Sequence, residues 1–558
     1  MSEKQLRIPI GISDFREMRE DGYYYIDKSH FIEEICESGA KVVLLPRPRR
    51  FGKTLNLTML KYFFEINEKD QKHLFEKLYI SASDTYEKHQ GRYPVIYLTF
   101  KDLKDRSWNA MLEGIQHLLR DEFFRHEQVL NSEHMSEAEK EYFRSMVAGK
   151  ASLRECTDAL RYLSSFLFRF YGKRAVILID EYDTPVHAAF ENGYYDEVVS
   201  FLRNFLGGGL KDNSHLYKGV ITGILRIAKE SVFSDLNNLG VHTLTGREYQ
   251  SSFGFTDGEV RILLENCGLS KRYGEVSCWY NGYLFGETVI YNPWSVLNFT
   301  VSKPEIPYSY WINTGGTEMI DRLTTHGGRE LKEEIGLLLE GRTVCKPIYE
   351  SIVMRDLEKR DDLLWSFLLF SGYLKAVRQT DSEKWELKIP NREVHVMYRE
   401  MVKRWFSVKT ESARIEAMLT ALKNGDAETF EFYLADTVER VLSVHDTGGP
   451  EPEKFYHAFV LGLLVWLEGE YDIRSNREAG LGRYDMMLMP KDKSRHGIVM
   501  EFKKVNERKK ETPEQALEKA LKQMEEKKYV SELEAAGIKN ILKLAIVFQG
   551  KELWMKQG

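Results

Sequence analysis

Short apolar runs without polar alternation punctuate the first half of the chain: "KVVLL" (41–45), "VIYLTF" (95–100), "AVILIDEYD" (175–183) and "GVITGILRI" (219–227). Helix-sized segments separate them, and in "TLNLTMLKYFFE" Leu55, Met59, Leu60 and Phe63 recur at helical spacing. Strands with no polar face need cover on both sides, so this pattern predicts a parallel sheet flanked by helices.

From about 246 to 405 the pattern turns helical, as in "TDGEVRILLENC", "GRELKEEIGLLLEG" and "DDLLWSFLLFSGYLK". Thr256 followed by Glu259 fits a capping box. The aromatic residues Trp279, Tyr280, Tyr283, Tyr291 and Trp294 read as packing in a small helical core rather than as a base-stacking surface. After a charged helical stretch (about 410–446), "HDTGGPEPEK" marks a connection. An apolar helix follows ("KFYHAFVLGLLVWLEG"), then strands "YDIRSN", "RYDMMLMP" and "GIVMEFKKV". A helix opening with Thr512, Pro513 and a capping-box Gln515 comes next, and a last strand, "LKLAIVFQ", closes the unit.

The length of 558 residues exceeds what one core supports and calls for roughly three or four domains. We delimit 1–245, 246–405 and 406–558. A net charge of −6 argues against wholesale electrostatic attraction to nucleic acid but leaves room for a local basic groove. The five cysteines (Cys36, Cys156, Cys267, Cys278, Cys345) are scattered, with no C-x-x-C pair and no even framework, so neither a cysteine zinc site nor a disulfide scaffold is indicated and a reducing compartment fits best. The longest strongly apolar stretch, "FVLGLLVWL", is under half of the roughly 20 residues a membrane span needs, and the N-terminus has no signal-like run. A cytoplasmic protein without a membrane partner is expected.

Chemistry concentrates first at "LLPRPRRFGKTLN" (44–56). A phosphate-binding loop reads G-x-x-x-x-G-K-[ST], in which backbone N–H groups cradle phosphates, the lysine reaches the terminal ones and the hydroxyl holds magnesium. Gly52, Lys53 and Thr54 are in place after Phe51, whereas Arg47, followed by Pro48, occupies the first glycine position. Strand before and helix after supply the context such a loop requires. Asp180 and Glu181 end a strand of apolar residues, where an aspartate assists magnesium and the next carboxylate polarises the attacking water. Together, in this order and context, these motifs predict a nucleotide site with an accompanying Mg2+. Arg49 and Arg50 either add charge beside the polyphosphate or are merely solvated.

Several motifs in order, "YYYIDKSHFIEEI", "PRPRRFGKTLNLTMLKYFFE", "ILIDEYDTPV", "TGILRIAKESVFSDLNNL", "FGFTDGEV", "WYNGYLFG", "YNPWSVLN" and "LLFSGYLK", carry a resemblance. Over nearly its whole length the chain resembles the bacterial AAA-ATPase-like proteins with a C-terminal PD-(D/E)XK nuclease-like domain, distant relatives of the archaeal-type ATPases in the STAND group of signalling NTPases. The arginine-rich loop is normal in that family. The resemblance implies that Lys53 and Thr54 bind phosphate and magnesium and that Asp180 and Glu181 form the acidic pair. It makes Arg226 a candidate contact for the γ-phosphate, against the alternative of a surface arginine. Asp27 and Lys28 either lie near the base or, for Asp27, cap the next helix. Pattern and resemblance together suit a winged-helix-like unit around 337–390.

Helix, three strands, helix, strand is the core order of PD-(D/E)XK nucleases. On the third strand, alternation sets Glu501 and Lys503 on one face, and Asp485 on the preceding strand can approach Glu501 across the hairpin. Two carboxylates make an oxygen-rich magnesium site, and the lysine can orient water or stabilise the phosphorane-like charge. Glu478 and Gln523 match further polar positions of this family and are placed to complete the metal and water network. The expected whole is an α/β multidomain protein: a P-loop NTPase parallel sheet, a helical, winged-helix-like middle region and a C-terminal α/β restriction-endonuclease-like domain. Its expected partners are ATP, DNA or RNA, and in some assemblies further copies of itself. A nucleotide-operated switch that binds nucleic acid or a protein without cutting is the alternative; the intact Asp485, Glu501 and Lys503 favour the nuclease.

Overall fold

The four apolar runs are strands in the computed structural model, which describes residues 6–67, 70–227, 232–233, 236–303, 306–312, 318–325, 328–357, 360–407, 412–441, 452–467, 469–475, 478–479, 482–505 and 510–558. They form β1 (Val42–Pro46), β2 (Val95–Thr99), β3 (Ala175–Asp180) and β4 (Leu216–Gly223), joined by a short β5 (Leu239–Val241). Every pairing is parallel, and the order is β2-β3-β4-β1-β5. β1 and β3 are buried at every position, the burial that their unbroken apolar runs require. β5, with only "LGV" to mark it, has no such signature.

Helices with strong start and stop signals cover the sheet. Leu153–Tyr171 opens with a Ser152–Glu155 capping box and ends at Gly172, whose φ of 67° is the left-handed conformation of a helix stop. Because all strands are parallel, their carboxyl ends lie along one edge, where ligands bind in open α/β sheets. β4 separates β1 from β3, so one strand stands between the loop that follows β1 and the acids that end β3.

The chain forms two compact units: 1–314 with 345–393, and 315–344 with 394–558. In the first, β6 (Phe255–Thr256), β7 (Tyr283–Phe285) and β8 (Thr288–Tyr291) make a small sheet beside helices Asp257–Asn266, Tyr273–Tyr280 and Pro293–Val301. Tyr280 and Tyr291 are core residues here and Tyr283 is buried, as the packing reading expected. The Thr256–Glu259 capping box is present. Further on, β9 (Val344–Pro347), helix Asp361–Phe370, β10 (Lys375–Gln379) and β11 (Lys384–Lys388) follow in sequence, the strands ordered β10-β11-β9.

In the second unit, helix Pro452–Leu464 precedes β12 (Tyr471–Ser475), a hairpin of β13 (Glu478–Ala479) and β14 (Gly482–Arg483), β15 (Met486–Pro490) and β16 (Gly497–Lys504). Helix Pro513–Glu526, with its Thr512–Gln515 capping box, crosses over to β17 (Ile541–Gln549), and β18 (Glu552–Gln557) folds back on it. The sheet order is β12-β15-β16-β17-β18; the pair β16–β17, joined by the crossover helix, is parallel and its neighbours are antiparallel. Tyr484, Met487, Val499, Leu517, Ala520, Met524 and Ala545 fill the core between this sheet and the crossover helix. Among the described residues no helix is long and apolar enough to cross a membrane.

Candidate phosphate-loop and carboxylate sites

The loop after β1 turns into helix Lys53–Phe64 through Gly52, which takes a φ of 85° at the N-cap, a conformation that favours glycine. Lys53 is buried, and its Nζ donates to the Arg47 and Pro48 carbonyls at 3.1 and 3.0 Å. Burial pulls its pKa down, with Glu181, Asp180 and Asp183 pulling the other way. Thr54 Oγ1 donates to Asp180 Oδ2 (2.6 Å), and Thr222 Oγ1 from β4 donates to Oδ1 (2.6 Å). Burial raises the Asp180 pKa against those two hydroxyls. Glu181 has a φ of 51°, unusual for a residue with a side chain. Its Oε2 accepts from Thr184 Oγ1 at 3.3 Å.

Arg47 answers why the first glycine is dispensable. Its guanidinium is wholly buried and donates to the Pro46 and His242 carbonyls (2.8 and 2.7 Å), between the rings of Phe253 and Phe285. Burial draws its pKa down to about 9. The arginine thus ties the start of the loop to the segment around 242–253, fixing a turn that a glycine would leave free. Phe51 is buried against Tyr283 and Phe285. The Arg49 side chain is exposed while its carbonyl accepts from the Trp311 indole (3.0 Å); Arg50 stacks on Trp294 at 4.3 Å.

Two residues of "DEYD" whose role the sequence did not reveal brace the exit of β4. The Tyr182 hydroxyl donates to the Leu225 carbonyl and accepts from the Ile227 N–H, and Asp183 Oδ2 accepts from the N–H groups of Ile224 and Leu225. A Cβ on Gly223 would stand 2.6 Å from Asp183 Oδ1 and 2.7 Å from the Tyr182 ring, so that position admits only glycine. This turn leads to Arg226, whose Nη1 is 3.3 Å from Glu350 Oε2. Asp27 accepts from the N–H groups of Ser29 and Tyr79; it does not cap helix His30–Glu37, whose N-cap is Ser29 with no side-chain capping hydrogen bond, and Lys28 is ion-paired with Glu259 at 2.7 Å.

In the second unit, Met486 pairs with Met500 in the β15–β16 ladder, so the bend at Asp485 falls opposite Glu501. Asp485 Oδ2 accepts from the Phe502 N–H (2.8 Å). Glu501 is 1% exposed; its Oε1 accepts from Lys503 Nζ (2.8 Å) and from Gln523 Nε2 (2.5 Å), and Gln523 also donates to the Tyr529 hydroxyl. Burial and the neighbouring Asp485 carboxylate push the Glu501 pKa up to about 7 against the pull of Lys503. Its Oε2 is buried with no hydrogen-bond partner. A buried carboxylate oxygen so disposed, beside a second carboxylate, fits a hard divalent cation. Among the described residues no group of three or more His, Cys, Asp or Glu side chains is gathered around a metal position. The side chain of Glu478 lies outside the described residues; its backbone pairs with Arg483 in the small hairpin.

The backbone of Asp485 is held as well: its carbonyl accepts from His457 Nε2 (2.9 Å), whose Nδ1 is 3.0 Å from Glu340 Oε1. Burial disfavours charge on that ring, but Glu340 and the Asp485 carbonyl outweigh it and raise the His457 pKa. A histidine inside the apolar run "FYHAFVLGLL" was the available signal for this contact.

Residues 9–233 match the AAA-ATPase-like family, described as "Predicted AAA-ATPase", and residues 451–558 match the PD-(D/E)XK nuclease superfamily. A protein of Azotobacter chroococcum mcd 1, described as "Uncharacterized protein in vnfD 5'region", is 28% identical over 96% of this chain and 95% of its own length. The phosphate loop and its acids fall within the first match, and Asp485, Glu501, Lys503 and Gln523 within the second. The chain therefore joins an AAA-ATPase-like domain to a C-terminal domain of the PD-(D/E)XK nuclease superfamily.

Proposed function

We propose that the chain binds and hydrolyses ATP and that its nucleotide state controls Mg2+-dependent phosphodiester cleavage of DNA or RNA by the C-terminal domain. The observation that carries the cleavage is the Glu501 carboxylate: Lys503 and Gln523 hold one oxygen, and the other is buried without a partner beside Asp485. Asp485 and Glu501 hold the cation, with Glu478 as a further ligand. A bound Mg2+ supplies positive charge against the developing charge on phosphate. Gln523 keeps Glu501 oriented. Lys503 orients the attacking water, whose proton passes to solvent as its oxygen bonds to phosphorus, and neutralises charge on the phosphoryl oxygens as the bond to the leaving oxygen breaks and that oxygen takes up a proton from solvent.

In the N-terminal domain, Lys53 exchanges its two loop carbonyls for phosphate oxygens, and the N–H groups at the start of helix Lys53–Phe64 face the anion. Thr54 and Asp180 hold the cation that accompanies ATP, and Glu181 takes the proton of the attacking water. Arg226, at the end of the turn braced by Tyr182 and Asp183, senses the γ-phosphate by leaving Glu350, and Arg49 and Arg50 add charge around the loop. Segment 246–405 couples the two domains. The free cysteines suit a reducing cytoplasm.

Cleavage of a mixed DNA and RNA panel with Mg2+ or Mn2+, with and without ATP, tests the reading. Wild type is expected to cut, and Asp485→Ala and Lys503→Ala to lose at least about a hundredfold. Equal cutting by the variants would refute the site assignment.

A further inference from the structure

The bend that carries Asp485 is held on both sides. Its carboxylate is fixed by the Phe502 N–H and its carbonyl by His457 Nε2. His457 belongs to helix Pro452–Leu464, on which Tyr456, Phe459, Val460, Leu463 and Leu464 are buried. Its ring meets Phe502 edge-on at 5.6 Å. An imidazole within such an apolar setting is retained at the cost of desolvation; here Nε2 donates to the Asp485 carbonyl and Nδ1 lies 3.0 Å from Glu340 Oε1.

Glu340 makes the arrangement harder to read as packing. It caps the C-terminal end of helix Arg329–Leu339, where the helix dipole disfavours a carboxylate, and its side chain is only 2% exposed. Arg342 stands 3.6 Å from its other oxygen. A buried acid placed at the negative end of a helix needs a cationic or donor partner, and His457 Nδ1 is at 3.0 Å. That helix packs on Pro452–Leu464 and comes from residues 315–344, which belong to the second unit although the chain before and after them belongs to the first.

We propose that Glu340 and His457 are a positioning pair that fixes the Asp485 backbone, so that the metal-ligand geometry of the nuclease site depends on an arm, residues 315–344, inserted from the middle of the chain. The inference rests on the nuclease reading above. Outer partners that orient ligands carry about 10- to 100-fold in metal affinity or activity.

The test is Mn2+ titration of the full-length protein, followed by electron paramagnetic resonance, with cleavage and thermal unfolding measured alongside. Asp485→Asn identifies the signal that belongs to this site. His457→Ala is expected to weaken that Mn2+ binding about tenfold or more. His457→Gln, whose amide can donate in place of Nε2, should recover most of it, and Glu340→Gln, which conserves shape, should fall between. Mn2+ affinity and cleavage equal to wild type in both His457→Ala and Glu340→Gln would overturn the proposal. So would an equal loss in His457→Ala and His457→Gln, which would assign the effect to packing. If His457→Ala fails to fold, Glu340→Gln decides by the same criterion. Mn2+ binding that Asp485→Asn leaves untouched would remove the nuclease reading itself, and the proposal with it.

Discussion

Asp180, at the end of β3, and Glu501, in the middle of β16, are both buried carboxylates, and the chain treats them differently. Both oxygens of Asp180 accept a hydroxyl at 2.6 Å, from Thr54 and Thr222, so the acid locks loop, β3 and β4 together. Glu501 has Lys503 and Gln523 on one oxygen, no partner on the other, and Asp485 as a neighbour. The first arrangement fills both oxygens with internal hydrogen bonds, so a ligand there has to compete with existing partners. The second concentrates negative charge that a proton or a cation relieves.

The sharpest way to separate the two is to disable one and watch the other. Lys53→Ala removes a buried cation from the phosphate loop and should cost about 2–5 kcal/mol of ATP affinity, while Glu501→Gln should leave that affinity unchanged. Calorimetric titration of each variant with ATP checks both, and wild-type affinity in Lys53→Ala would sink the phosphate-loop assignment. Arg47→Gly, which restores the usual glycine, should not improve nucleotide binding. It strands the Pro46 and His242 carbonyls and leaves a cavity, so the first unit should lose about 2–4 kcal/mol in denaturant unfolding. An unchanged midpoint would show that Arg47 is not the anchor.

A smaller effect involves a third buried acid, treated in yet another way. Glu393 accepts from the Trp311 N–H (2.7 Å) and Ser295 Oγ (2.8 Å), and burial raises its pKa from 4.5 to about 7. The folded chain keeps a proton there that the unfolded chain gives up, so this group stabilises fully below about pH 4.5, and that contribution is lost as pH rises to about 7. The slope it adds is at most about 1.4 kcal/mol per pH unit. Unfolding of Glu393→Gln measured at pH 5 and pH 7 should show a flatter dependence than wild type. Identical slopes would mean that Glu393 is ionised throughout this range.

The legible parts of the chain were those where one physical signal sufficed. Unbroken apolar runs gave β1 to β4, and capping boxes at Thr256 and Thr512 gave two helix starts. Alternation on β16 placed Glu501 and Lys503 side by side, and the structure adds their direct contact. What stayed hidden depends on residues distant in sequence. Arg47 looked like a change to a phosphate loop, yet its meaning lies in His242, Phe253 and Phe285. Thr222 is one polar residue in an apolar strand until Asp180 is seen beside it. His457 needs both Glu340 and Asp485, and no local pattern links the three. β18 escaped because Gly550 turns the chain back directly after β17, so the two strands read as one tail.

We propose that nucleotide at the phosphate loop governs cleavage at Asp485 and Glu501. The most direct test is the cleavage rate with and without ATP in wild type, Lys53→Ala and Glu501→Gln. The wild-type rate should change about 5- to 150-fold with ATP, the usual range of coupling between sites. Lys53→Ala should show a single ATP-independent rate, and Glu501→Gln no cleavage. Cleavage that still responds to ATP in Lys53→Ala, or that persists in Glu501→Gln, would contradict the proposal.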